Sequence, residues 1–130
     1  MRKTLRVKIW NKYKQRCSYC GKHLLYHDMQ VDHFIPLRSI NRPPEYLDAE
    51  EINGFDNLMP SCRRCNHYKR GYSLSEFRRL ISTIHNRIAD DYITKVAIDY
   101  GIVKFWKWDN MFYFEKFKQN ATKKAAQVES

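Results

Sequence analysis

Apolar side chains along this chain recur mostly every three or four positions, which predicts short helices. The clearest helix is predicted at residues 73–87, where Ser73-x-x-Glu76 forms a capping box ahead of an apolar stripe. Further helices are predicted at residues 3–15, 63–70 and 90–100.

Two short extended segments are predicted at residues 29–34 and 58–59, each followed by a proline. Residues 38–56 between them are interpreted as a long irregular loop, because Pro43 and Pro44 exclude regular structure there. A loop of this length in a small domain is usually functional or well packed.

Alternating aromatic residues near the end of the chain predict a β-hairpin, with strands at residues 103–108 and 111–117. Its aromatic side chains are expected to pack on the apolar stripe of the helix at residues 73–87, because alternating aromatics are mostly core residues. Stacking on nucleic-acid bases is the alternative. The polar residues 119–130 are expected to form a frayed tail.

The length and composition indicate one globular domain. With 130 residues, 43% hydrophobic and 15% aromatic, the chain is too apolar for a disordered protein. No apolar run approaches the ~20 residues of a membrane span, and the first residues lack the pattern of a secretion signal, so a cytoplasmic protein is expected. The predicted domain covers residues 1–118, with a core at 10–72 and an extension at 73–118.

The charge distribution also predicts that the partner of this protein is a polyanion. The net charge is +10, and residues 1–22 carry eight basic and no acidic side chains. A second basic block, residues 63–87, carries seven basic groups and one acid, whereas residues 23–62 between them are acidic. Two basic blocks that flank such a segment favour binding to a nucleic acid, here expected to be DNA.

Four cysteines occur in two pairs, Cys17-x-x-Cys20 and Cys62-x-x-Cys65. Disulfides are not expected in a cytosolic protein, so two such pairs indicate a structural zinc site with four thiolate ligands. The alternatives are four buried free thiols or a redox dithiol, and His23 or His27 could replace one thiolate as a ligand. A structural zinc ion can stabilise a small fold by on the order of 10 kcal/mol.

Three short segments carry the residue types that cleavage of a phosphodiester backbone requires. They are Val31-Asp32-His33-Phe34, Asp56-Asn57-Leu58 and Cys65-Asn66-His67. His33 has the side chain best suited to deprotonate water near pH 7. A hard cation best neutralises the charge on the phosphate and on the leaving oxygen, and it needs oxygen ligands. Because neighbours on a strand point to opposite faces, Asp32 and His33 can share a site only if the strand ends or bulges there.

The order of these motifs, CxxC, DH-x-x-P, DN-L-x-P and CxxCN-x-x-K, resembles the HNH endonuclease superfamily over roughly residues 10–70. The resemblance implies an α+β protein with a small zinc-stabilised ββα-metal core, to which the extra helices and the C-terminal hairpin are added. It also implies metal-dependent nuclease activity.

The resemblance implies a role for each residue that matches the motif. His33 corresponds to the general base that activates water, and Asp32 and Asn66 correspond to the ligands of the catalytic metal ion. Asn57 corresponds to the central asparagine, which holds the loop after the first strand and so orients the base. Lys69 corresponds to a basic residue that contacts phosphate.

The chain departs from the family pattern at two places. The last motif position is Asn66 rather than histidine, so this is an H-N-N variant whose neutral amide oxygen suits Mg2+ or Mn2+. The adjacent His67 is the alternative ligand. The loop after His33 lacks a Gly-Gly pair and carries acidic residues, which are interpreted as solvated or as contacts of the N-terminal basic block. These are Glu45, Asp48, Glu50 and Glu51.

Basic side chains around the predicted helix at residues 63–70 are expected to contact DNA phosphates. They are Arg63, Arg64, Lys69 and Arg70. The N-terminal basic block is a second candidate surface, with Arg2, Lys3, Arg6, Lys8, Lys12 and Lys14.

These observations together predict a metal-dependent endonuclease that hydrolyses DNA phosphodiester bonds, with structural Zn2+ and catalytic Mg2+ or Mn2+. One alternative is a zinc module that only binds nucleic acid. Another is a nuclease subunit that acts inside a larger phage-packaging or restriction assembly. Since one chain has one active site, cleavage of both strands would need a homodimer or two binding events.

Overall fold

The computed structural model describes residues 1–36 and 48–129, which contain one two-stranded sheet and seven α-helices. The strands are β1, Gln30–His33, and β2, Leu58–Ser61. The helices are α1, Lys3–Trp10; α2, Ala49–Ile52; α3, Arg63–Lys69; α4, Leu74–Ser82; α5, Ile84–Ala89; α6, Tyr92–Asp99; and α7, Tyr113–Glu129. The predicted loop at residues 38–56, with Pro43, Pro44 and Glu45, lies partly outside the described residues.

The chain divides into two compact units, which are considered separately. The first comprises Met1–Ser73 with Met111–Ser130, and the second comprises Leu74–Asn110. In the second unit, the predicted helix at residues 73–87 is two helices, since α4 ends at Ser82 and α5 begins at Ile84. Among the described helices, none combines the length and the apolar character needed to cross a membrane.

The antiparallel pair of β1 and β2 is the centre of the first unit. Asp32 pairs with Met59 and His33 with Leu58, which is the last pair of the ladder. Strand β2 is buried along its whole length because α1 contacts it while α3 contacts β1. Helix α3 begins two residues after β2 ends, so the sheet and this helix form a compact ββα arrangement.

The four cysteines form one cluster, in which no pair is linked by a disulfide. The first pair lies in a tight knuckle where Gly21 has a φ of +80° and its N–H donates to the Cys17 carbonyl at 3.0 Å. In the second pair, Cys62 caps α3, and its Sγ accepts a hydrogen bond from the Cys65 N–H at 3.4 Å. All four Sγ atoms lie within 4.8 Å of one another. The cluster therefore joins the knuckle to the start of α3.

The prediction of a C-terminal β-hairpin is wrong. Residues 103–108 form no strand, and Tyr113–Glu129 is a helix, so residues 119–129 are not a frayed tail. The Glu115 carboxylate accepts from the Phe112 N–H at 2.9 Å, which is one half of a capping box and starts α7. A run of aromatic residues is compatible with both a strand and a helix. Here Tyr113 and Phe117 contact each other at the i, i+4 spacing of a helix.

Aromatic residues of the C-terminal segment complete the core of the first unit. Phe114 lies against the rings of Tyr13 and Tyr19, with centroids 6.3 Å apart in both pairs. Phe112 lies 5.6 Å from Tyr19 in an edge-to-face contact. These contacts bury Tyr19, whose hydroxyl lies beside the end of β1.

Asn57 fastens the segment that follows β1. It is buried, and its side-chain amide makes three hydrogen bonds to backbone groups. Its Oδ1 accepts from the Ile35 N–H at 2.7 Å, and its Nδ2 donates to the carbonyls of Ile35 at 3.0 Å and Ile52 at 2.8 Å. Asn57 therefore holds the backbone two residues after His33.

Replacement of Asn57 by alanine is expected to lower the free energy of unfolding by about 2–4 kcal/mol, because it leaves buried backbone groups without partners. Urea denaturation of the variant measures the loss. Asn86→Ala, at an exposed position of α5, is the matched control and is expected to change stability little. Equal stability of the two variants would contradict the fastening role of Asn57.

Candidate active site

A cleft of about 210 Å³ opens at the end of β1. We refer to it as the strand-end cleft; it is lined by Val31, Asp32, His33, Pro36, Asn66, Arg70 and Gly71. The cleft brings together residues that are more than thirty positions apart in the sequence, namely Asp32 and His33 from β1 and Asn66 from α3. All three were candidate catalytic residues in the sequence.

Asp32 and His33 both line the cleft, and they lie at the end of β1. The ladder ends at the pair of His33 and Leu58, and the next N–H, that of Phe34, donates to the Asn57 carbonyl at 2.8 Å. This bond continues the register of the ladder, so Asp32 and His33 are the last two residues of β1 and lie next to the point where the pairing stops. Lys69 donates to the His33 carbonyl at 3.2 Å and fixes the same point from α3.

The ring of His33 is oriented by an amide that follows α2. Its Nε2 lies 3.1 Å from the Oδ1 of Asn53. Because an amide oxygen only accepts, this bond requires the proton on Nε2, and Nδ1 then carries the lone pair. An oriented imidazole with one basic nitrogen is the arrangement that a general base needs.

Asp32 is buried, with 5% of its surface exposed, and its carboxylate has two donors. The Tyr19 hydroxyl and the Lys69 ammonium both donate to Oδ2, and the Lys69 Nζ lies 3.0 Å away. Burial raises the pKa of Asp32, whereas the Lys69 charge and the Tyr19 hydrogen bond act in the opposite direction. Burial and the Asp32 charge raise the pKa of Tyr19 well above its usual value, so Tyr19 remains a hydroxyl donor.

The expectation that Lys69 contacts DNA phosphate is wrong. Lys69 has no exposed surface, because its ammonium is held between the Asp32 carboxylate and the His33 carbonyl. A buried lysine is stable only when it is paired in this way. The other three basic residues expected to contact phosphate, Arg63, Arg64 and Arg70, are exposed.

The two candidate ligands on α3 face different clefts. Asn66 lines the strand-end cleft, and its Nδ2 donates to the Oε1 of Gln30 at 2.8 Å, which leaves its Oδ1 as the oxygen ligand. His67 is exposed and lines another cleft, together with Arg63 and Arg64. The geometry therefore favours Asn66 over His67 as a partner of Asp32.

Part of the N-terminal basic block is used inside the fold. Arg6 donates to the carbonyls of Tyr26 at 3.0 Å and Met29 at 2.6 Å. Lys12 donates to the carbonyls of Phe55 and Leu58, each at 2.9 Å, and burial lowers its pKa. These two side chains link α1 to the segments beside the sheet, whereas Arg2, Lys3, Lys8 and Lys14 are exposed.

Acidic residues around α2 serve the helix itself or face solvent. The Oδ1 of Asp48 accepts from the Glu51 N–H at 2.8 Å, which caps the short helix. Glu50 and Glu51 are exposed. Their interpretation as solvated residues agrees with this exposure, while Glu45 lies outside the described residues.

Three residues that contribute to the site were not recognised in the sequence. Tyr19 binds Asp32, Gln30 binds Asn66, and Asn53 binds His33. Tyr19 lies between the first two cysteines, and Asn53 lies in an Asn-Gly turn. The local sequence therefore explains each residue without any role in the site. No spacing in the chain connects them to the residues that they contact.

The cysteine cluster fits a tetrahedral metal ion. Sulfur atoms that share one zinc ion with bonds of ~2.3 Å are separated by ~3.8 Å, and the Sγ atoms of Cys20 and Cys62 are 3.9 Å apart. Hydrogen bonding to Cys17 raises the pKa of Cys20 to about 11, because the crowded sulfurs cannot all ionise without a cation. Among the described residues, this is the one group of three or more His, Cys, Asp or Glu side chains whose ligand atoms lie close together.

The strand-end cleft fits a different kind of cation. Its candidate ligands are the carboxylate of Asp32 and the amide oxygen of Asn66, which suit Mg2+ or Mn2+. Tyr19 and Lys69, the donors to Asp32 among the described residues, both contact Oδ2.

Comparison with known proteins finds similarity to one family model and to solved structures. A search of curated proteins found no match. Among solved structures, the Type II-C Cas9 enzyme from Actinomyces naeslundii is 27% identical, with a TM-score of 0.45, over 58% of this chain and 8% of that chain. This chain therefore spans only a small part of the length of that protein.

The family model of the HNH endonuclease matches residues 17–70. The matched span begins at the first cysteine of the cluster and ends directly after α3. It includes all four cysteines and the residues that line the strand-end cleft up to Arg70. Residues 17–70 are thus similar to the HNH endonuclease family, and the fold that contains them is of the α+β type.

Proposed function

We propose that this protein is an endonuclease that hydrolyses phosphodiester bonds of DNA, with His33 as general base and a divalent cation at Asp32 and Asn66. The observation that carries the proposal is the strand-end cleft, which is lined by His33, whose imidazole is oriented by Asn53, and by the oxygen-bearing residues Asp32 and Asn66. The similarity to the HNH endonuclease family supports nuclease activity in general, and the geometry of this cleft supports the individual roles.

The role of His33 rests on its contact with Asn53. The Asn53 amide oxygen holds the proton on Nε2, so Nδ1 is the nitrogen that would accept a proton from water. The Lys69 contact fixes the backbone at His33, and the Asn57 hydrogen bonds fix the backbone two residues later, at Ile35. His33 itself is partly exposed, as a base that must meet a substrate and a water molecule requires.

Asp32 and Asn66 would hold the catalytic ion through their Oδ1 atoms. When bound, Mg2+ or Mn2+ supplies positive charge for the phosphate and for the leaving 3′ oxygen. Lys69 and Tyr19 hold the other carboxylate oxygen, so they orient the ligand and partly neutralise it. Lys69 is therefore a positioning residue in this proposal.

The cysteine cluster would hold structural Zn2+. Its donor set of four sulfurs and its distances suit zinc, and it lies outside the strand-end cleft. Its function would be to hold α3, and with it Asn66, against the strand that carries His33. Thiolates that serve as zinc ligands persist in a reducing compartment, which supports a cytoplasmic location.

DNA as the substrate is supported by charge and by exposure. The chain has a net charge of +10, and Arg63, Arg64 and Arg70 are exposed on or beside α3. Arg70 lines the strand-end cleft and would contact phosphate close to the cut. Because each chain has one such cleft among its described residues, cleavage of both strands would involve a homodimer, a larger assembly or two binding events.

Replacement of His33 by alanine is expected to lower the cleavage rate by about 10²–10⁴-fold, because the water loses its base. Plasmid relaxation in Mg2+ or Mn2+ measures the rate. His85→Ala, in the second unit and outside the strand-end cleft, is the matched control and is expected to cut at the native rate. Equal cutting by the His33 variant would remove this residue as the base. No cutting by the native protein with any divalent metal would favour a module that only binds nucleic acid.

Replacement of Lys69 by methionine is expected to lower the free energy of unfolding by about 3–5 kcal/mol, because the Asp32 carboxylate is left buried without its counter-charge. Tyr19→Phe removes one charge-assisted hydrogen bond and is expected to cost about 1.5–3 kcal/mol.

Chemical denaturation measures the free energy of unfolding of both variants. Tyr13→Phe, at a second buried tyrosine that contacts Phe114 and Phe117 rather than Asp32, is the control for Tyr19→Phe. Native stability of Lys69→Met would show that the ion pair does not hold α3 to β1.

Removal of the structural ion is expected to unfold the HNH-like region, residues 17–70, because the contribution of zinc, on the order of 10 kcal/mol, is comparable to the whole stability of a domain. The native protein is expected to contain one tightly bound zinc per chain, and Cys65→Ser is expected to lose it. Metal analysis and circular dichroism during titration with a chelator measure both effects. A zinc-saturated chelator is the control, and an unchanged spectrum after complete removal of zinc would contradict the structural role.

A further inference from the structure

A second and larger cleft, of about 750 Å³, adjoins α3. We call it the basic cleft; it is lined by Lys22, His23, Leu24, His27, Asp28, Gln30, Cys62, Arg63, Arg64 and His67. It shares no lining residue with the strand-end cleft. The two are connected through one hydrogen bond, because Gln30 of the basic cleft accepts from Asn66 of the strand-end cleft at 2.8 Å.

The side chains of the basic cleft suit an anion. Lys22, Arg63 and Arg64 supply three fixed positive charges, and three imidazoles supply N–H donors. The one acidic residue, Asp28, is exposed and lies 3.6 Å from the Nε2 of His27, so the balance of charge in the cleft remains positive. Six basic side chains around one open cleft match the phosphate groups of a nucleic-acid strand.

The three histidines could instead bind a metal ion, but the geometry argues against this. Among the described residues, the group of four cysteines is the one set of three or more metal-ligating side chains whose ligand atoms lie close together. The histidines of the basic cleft are therefore dispersed along its wall. Dispersed donors suit a ligand with several separate phosphates better than they suit a single ion.

We propose that the basic cleft binds phosphates of the same DNA that is cut in the strand-end cleft, on the flank that lies beyond Gln30 and Asn66. This proposal rests on the proposed nuclease function, and it adds Lys22, His23, His27 and His67 to the DNA-binding residues. The hydrogen bond between Gln30 and Asn66 marks the border between the two clefts. A strand that crosses this border would have its scissile phosphate near Asn66 and its neighbouring phosphates near Arg63 and Arg64.

The test measures DNA binding separately from cleavage. Each variant is made in a His33→Ala background, and binding of a fluorescein-labelled duplex is followed by anisotropy at several salt concentrations. Arg63→Gln/Arg64→Gln is expected to weaken binding about tenfold or more and to reduce the salt slope by about two, because each lost phosphate contact removes ~0.9 from that slope. Arg79→Gln/Lys95→Gln removes the same charge from exposed positions of the second unit and is the control.

A second variant tests the histidines of the basic cleft rather than its arginines. His23→Ala/His27→Ala removes two donors that lie outside α3, and it is expected to weaken binding by about threefold or more. Zinc content and circular dichroism of every variant report whether the cluster beside Arg63 and Arg64 is intact.

The outcomes separate this proposal from the proposed function. If the arginine variant binds like the control variant, or the histidine variant binds like the His33→Ala parent, the basic cleft does not hold DNA. Plasmid cleavage by the native protein in Mg2+ or Mn2+ is scored independently. Cleavage without an effect of the cleft variants would overturn this inference alone, and an effect on binding without any cleavage would overturn the nuclease mechanism alone.

Discussion

The site depends on how α3 is held against β1, because this helix carries Asn66 and the strand carries Asp32 and His33. The cysteine cluster joins the first turn of the helix to the knuckle at residues 17–21, and the Lys69–Asp32 ion pair joins its last turn to the strand. A helix of seven residues has little stability of its own. Its position is therefore decided by these two attachments, one based on sulfur and the other on buried charge.

The buried ion pair also links structure to chemistry. Removing a lysine and an aspartate from water is costly, and the cost is offset only when both charges and their hydrogen bonds are satisfied. Here Lys69 reaches both Asp32 and the His33 carbonyl, while Tyr19 provides a second donor to the same carboxylate oxygen. The contacts that stabilise the unit are thus the ones that would orient a metal ligand and fix the backbone of the base.

The two ends of the chain contribute to one unit, and this shows how the small core is completed. Segment Met111–Ser130 belongs to the same compact unit as Met1–Ser73. Phe112 and Phe114 cover Tyr19, which in turn shields the Asp32 carboxylate from water. The low exposure of Asp32 therefore depends in part on residues far outside the span that matches the HNH family.

The sequence by itself determined the chemistry that is local: two cysteine knuckles, the order of Asp32, His33, Asn57 and Asn66, and the start of α3 at its second cysteine pair. Such features are readable because ligand spacing and caps involve residues that are close together in the chain. Only the tertiary structure decided that Lys69 faces inward rather than toward phosphate, that Tyr19, Gln30 and Asn53 serve the site, and that residues 113–129 form a helix. The physical reason is that burial, charge pairing and the choice between helical and alternating aromatic contacts are set by distant neighbours, which a linear pattern does not contain.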